Sequence, residues 1–143
     1  MRTTCSLLLI LGSLVTSEVF ADACDVVSRS SSEAVKSIER HTCYSYSNMP
    51  ADAIDWSCSN ESKEMVSAEK RKVLKCADGS IGVCSAPLTQ ESLSNPKSAG
   101  RDVTPERLPL TSDARVITWY YDMEHLGQAR SDCERSDGTW QTQ

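Results

Sequence analysis

Six cysteines, Cys24, Cys43, Cys58, Cys76, Cys84 and Cys133, constrain this chain more than any other feature. A seventh, Cys5, sits apart in an apolar N-terminal run. An even set in a short chain reads as three disulfides formed in an oxidising compartment. No C-x-x-C pair occurs, so neither a zinc knuckle nor a thioredoxin-type redox pair is indicated. Three bridges, each worth about 2–4 kcal/mol, rival the whole stability of an ordinary domain, about 5–15 kcal/mol.

The N-terminal run explains why Cys5 stands apart. Arg2 is followed by Leu7-Leu8-Leu9-Ile10-Leu11, then Leu14-Val15, then Val19-Phe20-Ala21. This is the charge, apolar stretch and small-residue site of a secretory signal, and it is shorter than the roughly 20 apolar residues a span requires. Cleavage is expected after Ala21, with Ala23 as the second choice. A third arrangement would put a lipid on Cys24 within Ala21-Asp22-Ala23-Cys24. It is disfavoured because such a box normally carries Leu where Ala21 stands, and because Cys24 keeps the cysteine count even. Residues 1–21 are therefore expected to be a signal peptide and residues 22–143 one domain, periplasmic or secreted. No other stretch is apolar enough to span a membrane.

The formal net charge is −5. Removing Arg2 and Glu18 with the signal leaves it unchanged. An acidic domain argues against a nucleic-acid or anionic-membrane partner. The one basic run, Lys70-Arg71-Lys72, lies near Glu61, Glu64 and Glu69 and reads as a solvated segment.

Along the chain, Ser30 and Glu33 have capping-box spacing, and Ala34, Val35 and Ile38 form an apolar stripe. A helix is expected over 30–40. Residues 41–47 alternate with period two and read as a strand, as do Ile54, Trp56 and Cys58. Asn60-Glu61-Ser62 is formally a glycosylation sequon. Residues 73–76 and 81–84 flank Asp78-Gly79, the signature of a hairpin. Residues 85–113 hold Pro87, Pro96, Pro105 and Pro109 and read as a long loop. Residues 115–121 are apolar on both faces, as in a central strand. Asp122 is expected to cap a helix to about Arg135, with Leu126, Ala129 and Cys133 on its inner face. Gly138 suits the helix end, and Trp140 is placed to pack back onto the sheet. The expected class is α+β: a small antiparallel sheet of four to five strands, two helices and three disulfides. Of the 15 possible pairings, Cys24–Cys43, Cys58–Cys76 and Cys84–Cys133 are preferred, with Cys76–Cys84 as the rival.

Three segments in order carry a resemblance: Cys76-x2-Gly79-x2-Gly82-x-Cys84, the strand ending Trp119-Tyr120-Tyr121, and Cys133-x4-Gly138-x-Trp140. Together they resemble small cysteine-rich exported bacterial proteins of unestablished function. The likeness covers about Cys58 to Trp140, and Asp137-Gly138 stands where that pattern usually has Gly-Gly. It implies an envelope or secreted location and supplies no activity.

Neither H-E-x-x-H nor G-x-S-x-G is present, and the two histidines, His41 and His125, fall in no nucleophile–base or metal spacing. The expectation is a non-enzymatic envelope protein that binds another protein, such as an inhibitor or an immunity-type factor, with no cofactor and no metal. The alternative is a small periplasmic hydrolase using His125 or a carboxylate pair such as Asp52 and Asp55.

Overall fold

Apolar residues on both faces make residues 115–120 an interior strand, and Arg115–Tyr120 lies within a six-stranded antiparallel sheet. The computed structural model describes residues 22–29, 39–50, 53–59, 68–90, 92, 110–122 and 124–143. In chain order the elements are β1 (Ala23–Arg29), β2 (Glu39–Ser47), α1 (Ala53–Ser57), β3 (Ala68–Val73), β4 (Gly82–Pro87), β5 (Arg115–Tyr120), α2 (Leu126–Arg135) and β6 (Thr139–Thr142). The strand order is β3-β1-β2-β5-β4-β6. The α+β class holds, with six strands instead of four to five.

The register sorts side chains onto two faces. On one face lie Cys24 of β1, Tyr44 and Tyr46 of β2, Val116 and Tyr120 of β5, Cys84 of β4 and Trp140 of β6. Both helices pack here. The Cys24–Cys58 bridge ties down the end of α1, and Cys84–Cys133 ties down α2. Among the described residues the buried apolar ones are mostly half-cystines and alanines, with Ile54, Val83 and Leu88 the larger members. Among the described residues such side chains bury little apolar area, and the bridges among them add about 2–4 kcal/mol each. Gly138 closes the α2 end: a Cβ there would lie 2.7 Å from the Cys133 carbonyl oxygen and 2.8 Å from its sulfur.

Several expectations are corrected. Residues 53–57 form α1, not a strand. Ile54 and Cys58 are four apart, the Cys58 N–H donates to the Ile54 carbonyl, and the Ala53 N–H donates to Pro50. Helical spacing thus serves the same buried pair that alternation suggested. Glu39 and Arg40 begin β2, so a helix does not reach Arg40; its expected body, 30–38, lies outside the described residues, as does the Asn60 sequon. The segment 68–73 is an edge strand, not a solvated run. Lys70 is 6% exposed and donates to the Ser57 carbonyl at 2.9 Å. Lys72 pairs with Asp55 of α1, and Arg71 points to the other face. Residues 85–87 continue β4. Asp122 does not cap α2: His125 is the N-cap, without a side-chain cap bond, and Asp122 instead accepts from the His41 N–H.

The expected hairpin is the largest departure. Gly79 does take a positive φ of 91°, but β3 and β4 do not pair. They are separated by β1, β2 and β5, four inter-strand steps of about 4.8 Å each, roughly 19 Å in all. Residues 74–81 cross that distance, well within the roughly 26 Å that eight extended residues span.

Two of the preferred bridges are likewise replaced. The observed pairs are Cys24–Cys58, Cys43–Cys76 and Cys84–Cys133. Only the last matches, because Cys24 faces α1 whereas Cys43 faces the opposite side of the sheet.

Under α1, the Tyr44 hydroxyl donates to Ser57 Oγ at 3.0 Å. Burial, reinforced by neighbouring Tyr46, pushes that hydroxyl far above the ordinary tyrosine range. An unfolded chain loses this proton near pH 10 while the folded chain keeps it. The folded state then binds more protons, so stability falls as pH rises past about 10. Lys70 works in the opposite sense, since burial lowers its pKa and stability rises as pH climbs through the interval below its ordinary value. Tyr44→Phe is expected to make the alkaline loss shallower in denaturation midpoints measured across pH 8–11; an unchanged slope contradicts this.

Candidate functional site

The face away from the helices carries Asp25 of β1, His41, Cys43 and Ser45 of β2, and Ile117 and Trp119 of β5. Residues 74–81 cross this face, and the Cys43–Cys76 bridge pins the crossing at β2. Two further contacts hold it toward β4. The Tyr121 hydroxyl donates to the Ala77 carbonyl at 2.7 Å, and the Ile81 N–H donates to the Tyr120 carbonyl at 2.8 Å.

Between the crossing segment and the sheet lies a cavity of about 390 Å³. Its floor is Ala23, Ser45 and Trp119, and its wall is residues 76–80. That volume is in the range of small-molecule and side-chain pockets. Leu74 stands at the rim, 60% exposed, and is the one large exposed hydrophobic residue among those described. Ser80 in the wall is 8% exposed.

Beside the bridge is a polar brace. His41 Nε2 lies 2.7 Å from Asp25 Oδ1, and Arg71 Nη2 donates to Asp25 Oδ2 at 3.0 Å. The His41 ring stacks on Tyr121 with centroids 4.5 Å apart. Partial burial, together with the Asp25 and Asp78 carboxylates, pushes the Tyr121 hydroxyl up. The brace therefore joins β1, β2 and β3 to the crossing segment.

No family model, curated protein or solved structure matches this chain.

The residues expected to do chemistry lie elsewhere. His125 is on the helical face, in a smaller cavity of about 200 Å³ that Thr42, Tyr120, Asp122 and Asp132 also line. Its Nδ1 is buried without a hydrogen-bond partner, 3.6 Å from Asp122 Oδ1. Burial and the Asp132 charge push the Tyr120 hydroxyl up. Of the carboxylate pair, Asp55 is engaged by Lys72, and Asp52 lies outside the described residues. Among the described residues no group of three His, Cys, Asp or Glu is placed to hold a metal. All six cysteines among the described residues are paired as bridges.

The sequence reading missed the cavity because its parts come from β1, β2, β5 and the crossing segment. Leu74, an apolar residue directly after the charged edge strand, was the available signal.

Tyr121→Phe removes one hydrogen bond worth about 0.5–1.5 kcal/mol. Amides of residues 77–80 are expected to exchange faster while those of β5 keep their protection. Equal protection in both proteins contradicts the brace.

Proposed function

We propose that this chain is an exported, non-enzymatic binding protein of the cell envelope, of the inhibitor or immunity type, that engages another protein through the rim of the larger cavity. The observation that carries this reading is the position of Leu74. A single exposed leucine is ordinary on a protein surface. Here it borders a cavity floored by Trp119, on a segment clipped by a disulfide and braced by Tyr121. Such preorganisation lowers the ordering cost of association, and an aromatic in a pocket is a frequent anchor of interfaces. The three bridges fit an oxidising extracytoplasmic compartment. Among the described residues no helix is long and apolar enough to cross a membrane.

A second reading, a small hydrolase, has one observation in its favour: His125 and Asp122 border a common cavity. Their 3.6 Å separation is looser than a base–orienter hydrogen bond, though such contacts tighten when substrate binds. His125 Nδ1 has no hydrogen-bond partner among the described residues, and the binding reading is preferred.

The test is capture of an envelope partner by the immobilised protein. Leu74→Asp is expected to leave the disulfide pattern and circular dichroism intact and to weaken capture about ten-fold or more, equivalent to about 1.4 kcal/mol. Equal capture by the variant contradicts the proposal. A hydrolytic activity that His125→Ala abolishes in a folded protein would establish the second reading instead.

A further inference from the structure

The three bridges differ in accessibility. Cys24, Cys58, Cys84 and Cys133 are each 5% exposed or less, and Cys43 is 1% exposed. Cys76 alone is half-buried. It lies on the crossing segment outside any strand, and it lines the larger cavity. The other two bridges close helices onto the sheet, where a sulfur is reached only by lifting a helix. Cys76 is the one half-cystine that lines this cavity.

We propose that the Cys43–Cys76 bridge is a thiol–disulfide exchange site, entered at Cys76 through the cavity by the thiolate of a dithiol reductant, either a small dithiol or an envelope oxidoreductase. The thiolate attacks Cys76 Sγ in line with the S–S bond. A mixed disulfide forms on Cys76, and Cys43 leaves as the thiolate. The second thiol of the reductant then attacks its own sulfur in the mixed disulfide, releasing Cys76. Two electrons pass to the protein, the two dithiol protons end on Cys43 and Cys76, and the reductant departs as its disulfide. Access decides which sulfur is attacked, and at this bridge Cys76 is the open one.

Exchange here has a structural consequence that exchange at the other bridges lacks. Residues 74–81 cross three strands, and this bond pins them at β2. Among the described residues, the Tyr121 bond to Ala77 and the bonds of Ile81 to Tyr120 and Gln143 hold the end near β4. Opening the bond frees residues 74–76 and with them the Leu74 rim. The two helices stay attached through Cys24–Cys58 and Cys84–Cys133. The inference stands without the binding reading, because it concerns the reactivity of the bond and not what occupies the cavity.

The experiment is limited reduction of the folded protein with dithiothreitol in the absence of denaturant, quenched with iodoacetamide and mapped by peptide mass spectrometry. The expected result is loss of one disulfide, with label on Cys43 and Cys76 while the other four cysteines remain bridged. Label on Cys24, Cys58, Cys84 or Cys133 at the same rate overturns the proposal. As a second measurement, the Cys43→Ser, Cys76→Ser double variant is expected to lose amide protection over residues 74–78 and to keep it in β5 and α2. Global loss of protection in that variant would show that the bridge holds the whole fold, and would equally overturn a local exchange site.

Discussion

The Cys43–Cys76 bridge is the constraint on which the crossing segment, and the cavity beneath it, depend. A chain that leaves one edge of a sheet and re-enters it with three strands between must lay a connection across the sheet surface. Such a connection exposes backbone polar groups and has few apolar contacts to hold it. Here the covalent link at β2 replaces the packing that the segment lacks. Tyr121, held by its stack on His41, fixes the far end. The cavity exists because a pinned strip of chain stands over Ala23, Ser45 and Trp119 instead of collapsing onto them.

The two faces of the sheet accordingly work in different ways. On the helical face, α1 has only five residues and could not stand alone, since isolated helices need about 12–15 residues even to be marginal. It persists because Cys58 is bonded to Cys24, and because Lys70, Lys72 and Tyr44 reach it from three positions on the sheet. The α2 helix is held by Cys133 and by Gly138, whose lack of a side chain lets the chain turn tightly past that sulfur. On the opposite face no described helix covers the sheet, and charged pairs and a loop take that place. The functional reading follows this division, with structure concentrated on one face and an accessible, braced rim on the other.

What the sequence disclosed was local. Residues 115–120 alternate with apolar residues on both sides, a pattern that only an interior strand satisfies, and β5 sits inside the sheet. Cys133 falls on the stripe with Leu126 and Ala129, so its partner had to lie on the sheet, and Cys84 meets it. The rest was hidden because it depends on pairing at a distance. Asp78-Gly79 makes a turn from its own backbone chemistry, but whether the flanking segments pair is decided by β1, β2 and β5. The charged 69–72 segment reads as solvated until β1 aligns its lysines with α1. Ile54, Trp56 and Cys58 satisfy period two and, through Ile54 and Cys58, period four, and a segment of five residues is too short to separate them. The cavity left only one local trace, Leu74 directly after the charged edge strand.

The cysteine connectivity reports the long-range topology directly, since each bridge requires Cα atoms about 4.4–6.8 Å apart. The most direct test is therefore peptide mapping of the oxidised protein under non-reducing conditions. The account predicts Cys24–Cys58, Cys43–Cys76 and Cys84–Cys133. A Cys76–Cys84 peptide would mean that residues 73–84 close as a local hairpin, with no segment crossing the sheet and no cavity beneath it, and would contradict the account at its root.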